Sequence, residues 1–333
     1  MKVLLTGASG FVGGHLLSAL LKRGDEVRCL VRPESSRRNL EGHEVEVIEG
    51  DLRHPASLTP AVGGCDVVFH CAADYRLYVR HPEEMYDSNV EGTRNILRAA
   101  GDAGVGRVVY TSSVGALGLN ADGEPATEDT PVSLGDMIGH YKRSKFLAER
   151  VAEEWADEGV PVVIVNPSTP VGEGDLKPTA TGRIIVDFLN RKVPAYVDTG
   201  LNLIDVRDVA TGHLLAAEKG RVGERYILGN ANLSLQEIYQ LLAGLSDVPS
   251  PRFRVPHWLP VTVATVDTGL SRLLGREPRI PVEAARLARY KMYFDASKAR
   301  DELGLPQTPV EGALRRAVEW FTVNGYVGKR RSR

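Results

Sequence analysis

The sequence predicts an α/β fold, a doubly wound parallel sheet carrying a smaller C-terminal lobe. Three observations predict it. The chain opens on a short apolar run, Lys2–Thr6, followed at once by a glycine-rich turn and the helical pattern His15–Arg23. Through the first half, more apolar runs without internal alternation are separated by helical patterns. Strands with no polar face are buried on both sides, as in a parallel sheet covered by helices. In the second half this alternation breaks up, and Pro, Gly and Arg become frequent.

Taken in order, Lys2–Thr6 is the first strand, and Leu16, Leu17, Leu20 and Leu21 share one face of the helix after it. Glu26–Val31 reads as the second strand, Val45–Ile48 as the third, Asp66–Cys71 as the fourth, Arg107–Thr111 as the fifth and Val162–Val165 as the sixth. Helices are expected near Pro55–Ala61, Pro82–Ala103 and Tyr141–Glu158. Beyond them Gly182–Arg191 looks helical, and Leu201–Val206 and Arg225–Leu228 are candidate strands. Leu235–Leu245 is an amphipathic helix with Ser234 placed to cap it. Pro309–Asn324 is another, with Leu314, Val318 and Phe321 at core spacing. Gly328–Arg333 is a basic tail, read as a frayed solvated end.

Composition narrows the function classes. The 333 residues are 43% hydrophobic and 25% charged, as in ordinary globular proteins. A net charge of −2 gives no global field toward nucleic acid, so no nucleic-acid partner is expected. The chain starts in its first strand, leaving no room for a signal peptide, and no run of about 18 uncharged apolar residues predicts a membrane span. Cys29, Cys65 and Cys71 are odd in number and fit no zinc spacing. They read as inert buried thiols of a reducing compartment, hence a cytoplasmic location. His43, His54 and His81 stand in polar, loop-like surroundings, so no metal site is expected.

Three motifs carry chemistry. In Gly7-Ala-Ser9-Gly10-Phe11-Val12-Gly13, between a strand and a helix, glycines let the backbone approach a diphosphate. The helix N-terminus adds free N–H groups and a positive dipole end. Tyr141-Lys-Arg-Ser-Lys145 puts a phenol and an ammonium on one helix face, where the cation can lower the tyrosine pKa for proton exchange with a substrate hydroxyl. Val108-Val-Tyr-Thr111-Ser112-Ser113 ends a buried strand in hydroxyls, where this sheet type places ligands. Ser113 can hold the reacting oxygen, with Ser112 beside the cofactor. A tight turn, an exposed helix face and a self-capping strand end are the plain structural alternatives.

Together these motifs resemble the extended short-chain dehydrogenase/reductase family, nearly end to end. The resemblance implies that Gly7, Gly10 and Gly13 form the cofactor loop and that Asp51-Leu52 contact adenine. It places His70-Cys-Ala72-Ala73 under the cofactor and Asn89–Thr93 on the Asn-rich helix. Ser113, Tyr141 and Lys145 match the catalytic triad, and Asn166-Pro167-Ser168 the turn beside the nicotinamide. Val206–Val209 resembles a further family motif. The expected division is a dinucleotide-binding domain at residues 1–170, its sheet also taking in segments near 200–230, and a mainly substrate-binding lobe at 171–333. Ala73–Leu77, Asp136–Glu149, Val165–Pro170 and Thr179–Leu189 resemble the subgroup called hopanoid-associated sugar epimerase, which implies a sugar substrate in a lipid pathway. The ending of the second strand and Ser144–Glu149 resemble dihydroflavonol reductases instead.

The cofactor reading turns on Arg32. Sheets of this type often place Asp or Glu about 20 residues past the glycine turn to hold the NAD ribose. Here Arg32 stands there, followed by Arg37 and Arg38. A guanidinium suits a 2′-phosphate by charge and bidentate geometry, so NADP is favoured over NAD. The alternative leaves Arg32 solvated and gives Glu34 the ribose. Asp74, Tyr75, Arg76 and Tyr78 could reach over a substrate, and Arg183 could meet its anionic group; each could equally be surface. Trp258–Leu274 is apolar with few charges, serving either as core cover or as a greasy mouth for a lipid-like substrate. Three functions follow as expectations: a sugar epimerase, an NADPH-dependent ketone reductase, or a non-catalytic NADP-binding regulator. The family further implies a homodimer through a helix pair that includes Tyr141–Glu158.

Overall fold

A computed structural model describes residues 1–274, 276–278 and 281–328. In chain order its first half contains β1 (Lys2–Thr6), α1 (Phe11–Arg23), β2 (Glu26–Val31), β3 (Glu46–Glu49), α2 (Thr59–Val62), β4 (Val67–His70), α3 (Pro82–Tyr86), α4 (Gly92–Asp102), β5 (Arg107–Thr111), α5 (Gly139–Asp157) and β6 (Val162–Pro167). Then come β7 (Thr169–Val171), α6 (Ala180–Leu189), β8 (Ala195–Tyr196), β9 (Gly200–Asp205), α7 (Val206–Lys219), β10 (Arg225–Leu228), β11 (Ala231–Ser234) and α8 (Leu235–Gly244). The last elements are β12 (Phe253–Arg254), α9 (Trp258–Leu273), α10 (Val282–Leu287), β13 (Lys291–Met292) and α11 (Val310–Val323).

Seven strands form one parallel sheet in the order β3-β2-β1-β4-β5-β6-β10. The unbroken apolar strands explain it, since each strand feeds both faces. Val3 and Leu5 pack under α1 and α7 with Leu16, Leu20 and Val209. Leu4, Val68 and Val108 point the other way, against Ile96 and Leu97 of α4 and Val151 of α5. The chain winds one way from β1 to β3 and the other way from β4 onward. Between β1 and β4 the carboxyl ends therefore open a crevice, where such sheets bind ligands.

The predicted helix Pro82–Ala103 is real but not uniform. Between α3 and α4, Asp87–Glu91 forms a π-helical turn. Such turns recur at functional sites, and this one carries Asn89, which is buried. The candidate strand at Leu201–Val206 forms as β9, but in a second, four-stranded sheet with β7, β11 and β13. Asn202 in its middle is buried and donates to Asn230 O and Asn232 Oδ1. Arg225–Leu228, by contrast, joins the main sheet as β10.

The lobe has its own core from α6, α8 and α11, around Phe188, Ile238, Leu242, Leu314 and Phe321. Ser234 caps α8, its hydroxyl accepting from Glu237 N at 3.2 Å. The Val206–Val209 motif docks the C-terminal segment. Asp208 accepts from Thr308 N and Oγ1 at 2.8 and 2.9 Å, and Asp205 pairs with Arg316 of α11. Of the basic tail, Gly328 N donates to Asn190 Oδ1 at 2.9 Å, and residues 329–333 lie outside the described residues.

Candidate active site

The glycine turn shows why glycine is needed. Gly7 has φ +81°, and a Cβ there would lie 2.7 Å from Ala72 N, two residues past the end of β4. A Cβ on Gly13 would sit 2.1 Å from Gly7 O. Gly10 is the extended cap residue of α1, which has no side-chain cap and no acidic residue in its first turn. The turn is thus a backbone cradle facing a positive helix end, and it fits a diphosphate. Phe11 and Val12, half-buried, start the helix, and Phe11 meets His15 edge-on at 5.6 Å. Asn39 Nδ2 donates to Ser9 O and Gly10 O at 3.2 and 3.1 Å, pinning the Arg32–Leu40 loop to the cradle.

On that loop Arg32 is half exposed, with Nε 3.3 Å from Glu34 Oε1. Arg37 pairs with Glu49. Asp51 accepts from Arg53 through both carboxylate oxygens, and this pairing holds its carboxyl below the usual range. Leu52 packs against Gly92, and its carbonyl accepts from Asn95 Nδ2 at 2.9 Å.

Under the crevice a buried relay joins β1, β4 and the π turn. The Thr93 hydroxyl donates to Asn89 O at 2.7 Å, so it accepts from His70 Nε2–H at 3.1 Å. His70 Nδ1 then accepts from the Thr6 hydroxyl at 2.8 Å, and Thr6 Oγ1 accepts from Ala72 N at 3.2 Å. Burial pushes the His70 imidazole down to about 3, keeping it neutral. The Asn89 side chain exchanges hydrogen bonds with both backbone groups of Asp74, at 2.7 and 2.8 Å, and donates to Ser144 Oγ of α5 at 2.9 Å. Ala73 stands exposed at the crevice edge beside them.

The predicted triad comes together across β5 and α5. Ser113 follows β5 in extended conformation, and its Oγ accepts from Gly115 N at 3.0 Å. Burial raises the Tyr141 phenol, and the Ser113 hydroxyl acts on it in the opposite direction. Lys145 is buried and pushed down to about 8 by burial, with the nearby Glu149 charge opposing. Its Nζ donates to Thr111 O at 2.8 Å and Tyr110 Oη at 3.1 Å rather than to Tyr141. Thr111 Oγ1 lies 2.9 Å from His213 Nε2, and Ser112 is buried behind it. Asn166 Nδ2 donates to Ser113 O and Glu149 Oε2 at 3.1 and 2.7 Å. Pro167 ends β6, and the buried Ser168 Oγ has no hydrogen-bond partner among the described residues. An orphaned hydroxyl at this strand end fits a polar ligand group.

Sequence reasoning passed over Glu149, Tyr110 and Lys142. Glu149 is fully buried one turn beyond Lys145 and ties α5 to β6 and to Arg225 of β10. Its signal was a carboxylate at i+4 on the buried face. Lys142 is 5% exposed with no partner among the described residues, and burial alone pushes it down to about 8. Its stem lies over Gly115, two residues past Ser113.

The substrate candidates separate into two groups. Asp74 pairs with Arg76 at 2.6 Å on an exposed loop, with Tyr78 half-buried beyond. Tyr75 instead faces Asp175 and Arg183; burial raises its phenol, and these two charges act on it in opposite directions. Burial pushes Asp175 up to about 6, although it accepts from Thr179 N and Oγ1 at 2.8 and 2.9 Å. A Cβ on Gly182 would lie 2.1 Å from Asp175 Oδ2, so the start of α6 is built around this carboxyl. Among the described residues no cluster of His, Cys, Asp or Glu could hold a metal.

Comparison with known proteins identifies the family. Residues 3–229 match the family model of the NAD dependent epimerase/dehydratase family. A Synechocystis sp. protein named, provisionally, dihydroflavonol 4-reductase is 49% identical over 97% of this chain and 95% of its own. Sterol demethylase protein B of Methylococcus capsulatus is 37% identical over 98% of this chain and 100% of its own. The crystal structure of gox2253 superposes with a TM-score of 0.88 at 44% identity, covering 98% of this chain and 99% of that one. The chain therefore belongs to the NAD dependent epimerase/dehydratase family of extended short-chain dehydrogenases/reductases, a family of enzymes that use a nicotinamide cofactor.

Proposed function

We propose that this enzyme reduces a ketone on an apolar, lipid-like substrate, with NADPH as the hydride source. The observation that supports it most is the convergence of Ser113, Tyr141 and Lys145 beside the glycine cradle. Bound nicotinamide dinucleotide supplies the hydride. Gly7, Ser9, Gly10, Phe11, Val12 and Gly13 would hold its diphosphate, Arg32 its 2′-phosphate, and Asp51 and Leu52 its adenine. Ala72, Ala73, Asn89, Thr111 and Ser112 would line its middle, and Asn166, Pro167 and Ser168 its nicotinamide end. Ser113 orients the carbonyl oxygen. Tyr141, held in the acid form by burial, donates the proton that the developing alkoxide takes up. Lys145 would hold the nicotinamide ribose and place positive charge near the phenol. Tyr75 and Arg183 would contact the substrate beyond the reacting carbon, with Asp74, Arg76 and Tyr78 at its rim.

The reductase direction draws on Arg32 and on the reductase name carried by the Synechocystis relative. The lipid-like substrate draws on the apolar Trp258–Leu274 segment and the sterol-named relative. A second reading is epimerisation of a sugar or sugar-linked lipid precursor, where the hydride leaves and returns in one turnover. It draws on the Thr179–Leu189 motif, whose Arg183 lies near Tyr75 and Asp175 and would meet an anionic group there. We further propose a cytoplasmic homodimer through a helix pair that includes α5.

One experiment separates the readings. The purified protein is stripped, its nucleotide identified, and NADPH consumption followed with ketone substrates. Exchangeable NADPH consumed with substrate supports reduction. Retained NAD, with no net consumption, supports the epimerase. Bound cofactor without turnover of any substrate tried supports the regulator.

A further inference from the structure

We infer that α9 is a membrane-docking helix that lies flat on an anionic lipid surface. The helix spans 16 residues, about 24 Å at 1.5 Å per residue. Ala264 is buried beneath it, while Trp258, Val263, Val266, Leu270 and Leu273 stand exposed on the opposite side. Trp258 is 65% exposed, Leu273 85%, and Phe253 just before the helix 74%. These values exclude core cover as the role of that face.

The face also lacks polar relief. Thr262 and Thr265 return their hydroxyls to Trp258 O and Val261 O, at 2.9 and 2.7 Å. Asp267 pairs with Arg276 at 2.7 Å. Apolar and aromatic side chains on one side of a helix, with cations beside them, are what a bilayer interface binds. No helix among the described residues is long and apolar enough to cross a membrane, so α9 would rest on the surface.

Charge selects the occupant. Residues 252–291 hold eight Lys and Arg against three Asp and Glu, a net of +5. The whole chain is −2, so the remainder is −7. Arg252, beside Phe253, Arg286 on the helix α10 that packs against α9, and Arg289 in the turn after α10 are exposed, with no ion pair among the described residues. A second copy would set these cations against their own images. An anionic bilayer would meet them with opposite charge and the apolar face with hydrocarbon. The placement also serves the site. Glu283 of α10 lies over Gly139, two residues before Tyr141, so the helix that α9 packs against reaches the start of α5.

The test is sedimentation of the full chain with vesicles of phosphatidylcholine alone and of an equal mixture with phosphatidylglycerol. The parent should bind the mixed vesicles, weakly bind neutral ones, and be released by salt. Val266→Glu with Leu270→Glu should lower binding roughly tenfold or more, because charge enters the apolar face. Both positions are exposed, so circular dichroism and melting should not change. Arg286→Gln with Arg289→Gln should cost about fivefold per residue on anionic vesicles and little on neutral ones. No binding by the parent would overturn the inference, as would equal binding by the glutamate variant. A glutamate variant that turns a dimer into a monomer, with no vesicle binding by the parent, would assign the face to a second copy instead. Docking is read without substrate, so its failure leaves the reductase reading untouched.

Discussion

Arg32→Ala should weaken NADPH by about 5- to 30-fold and leave NADH nearly unchanged. The perturbation removes a guanidinium at the carboxyl end of β2, in the loop that Asn39 pins to the glycine turn. A charge-assisted hydrogen bond contributes about 1.5–3 kcal/mol. Two features reduce that here. The side chain is 52% exposed, so water and salt screen it. It also sits against Glu34, and loosening an exposed pair costs about 0.2–1 kcal/mol. About 1–2 kcal/mol remains, which sets the range. Glu34→Gln should therefore act in reverse, tightening NADPH by about 2- to 5-fold by removing a competing and repelling carboxylate. Arg37 contributes less than its position suggests, because Glu49 already holds it. Titrating both nucleotides into the three proteins, by quenching of intrinsic fluorescence, reads all of this. The reasoning is refuted if the parent prefers NADH, or if Arg32→Ala weakens both nucleotides alike.

Three shorter predictions test the rest of the site. Tyr141→Phe should cut turnover about 10²–10⁴-fold while NADPH affinity barely moves, and activity within threefold of the parent would remove the phenol from the reaction. Gly13→Ala should abolish nucleotide binding and lower the melting temperature, since its Cβ would meet Gly7 O at 2.1 Å; a variant that still retains cofactor on gel filtration would contradict the cradle. Acid should destabilise the fold, because burial depresses His70 to about 3 and His213 to about 4. Their stabilising effect is present above the unfolded value near 6.5 and is lost as pH falls through the folded values. His213 alone accounts for about 3 kcal/mol between those limits. Urea midpoints should fall steadily below neutral pH, and a non-titrating His213→Gln should show a shallower slope; an unchanged slope would acquit that residue.

Where residue type alone dictates geometry, the sequence was legible. A mainly apolar run without alternation serves both faces of a sheet, so β1, β2, β4, β5 and β6 could be read directly, and β10 with them. The glycine turn was legible because steric exclusion at Gly7 and Gly13 allows no other residue. Partnerships set by three-dimensional neighbours were not legible. Nothing in the order of residues shows that Lys145 is bonded to Tyr110 and Thr111, or that His70 joins Thr6 to Thr93. The π turn at Asn89 escaped for the same reason, since helix periodicity hides one extra residue per turn. β9 was legible as a strand but not as part of a separate sheet. Short strands carry no mark of their partners, and only the folded chain shows Asn202 bonded to Asn230 O and Asn232 Oδ1.

The pair at the centre of the site argues for a direction. Sequence spacing sets Tyr141 and Lys145 together and invites the reading that the cation makes the phenol a ready base. Burial changes the order of their titrations. It lifts the phenol above its ordinary value near 10 and lowers the ammonium to about 8. In the protein by itself the lysine loses its proton before the tyrosine does. Near neutral pH both groups are protonated, and Tyr110 Oη and Thr111 O hold the ammonium in place. A protonated phenol beside Ser113 is equipped to give a proton, which is what a carbonyl oxygen needs as it becomes an alkoxide. Oxidation of a hydroxyl asks the same phenol to accept one and would be favoured only at higher pH. Epimerisation needs both halves within one turnover. The protonation state set by burial therefore supports net reduction at neutral pH, in agreement with the arginine at the end of β2.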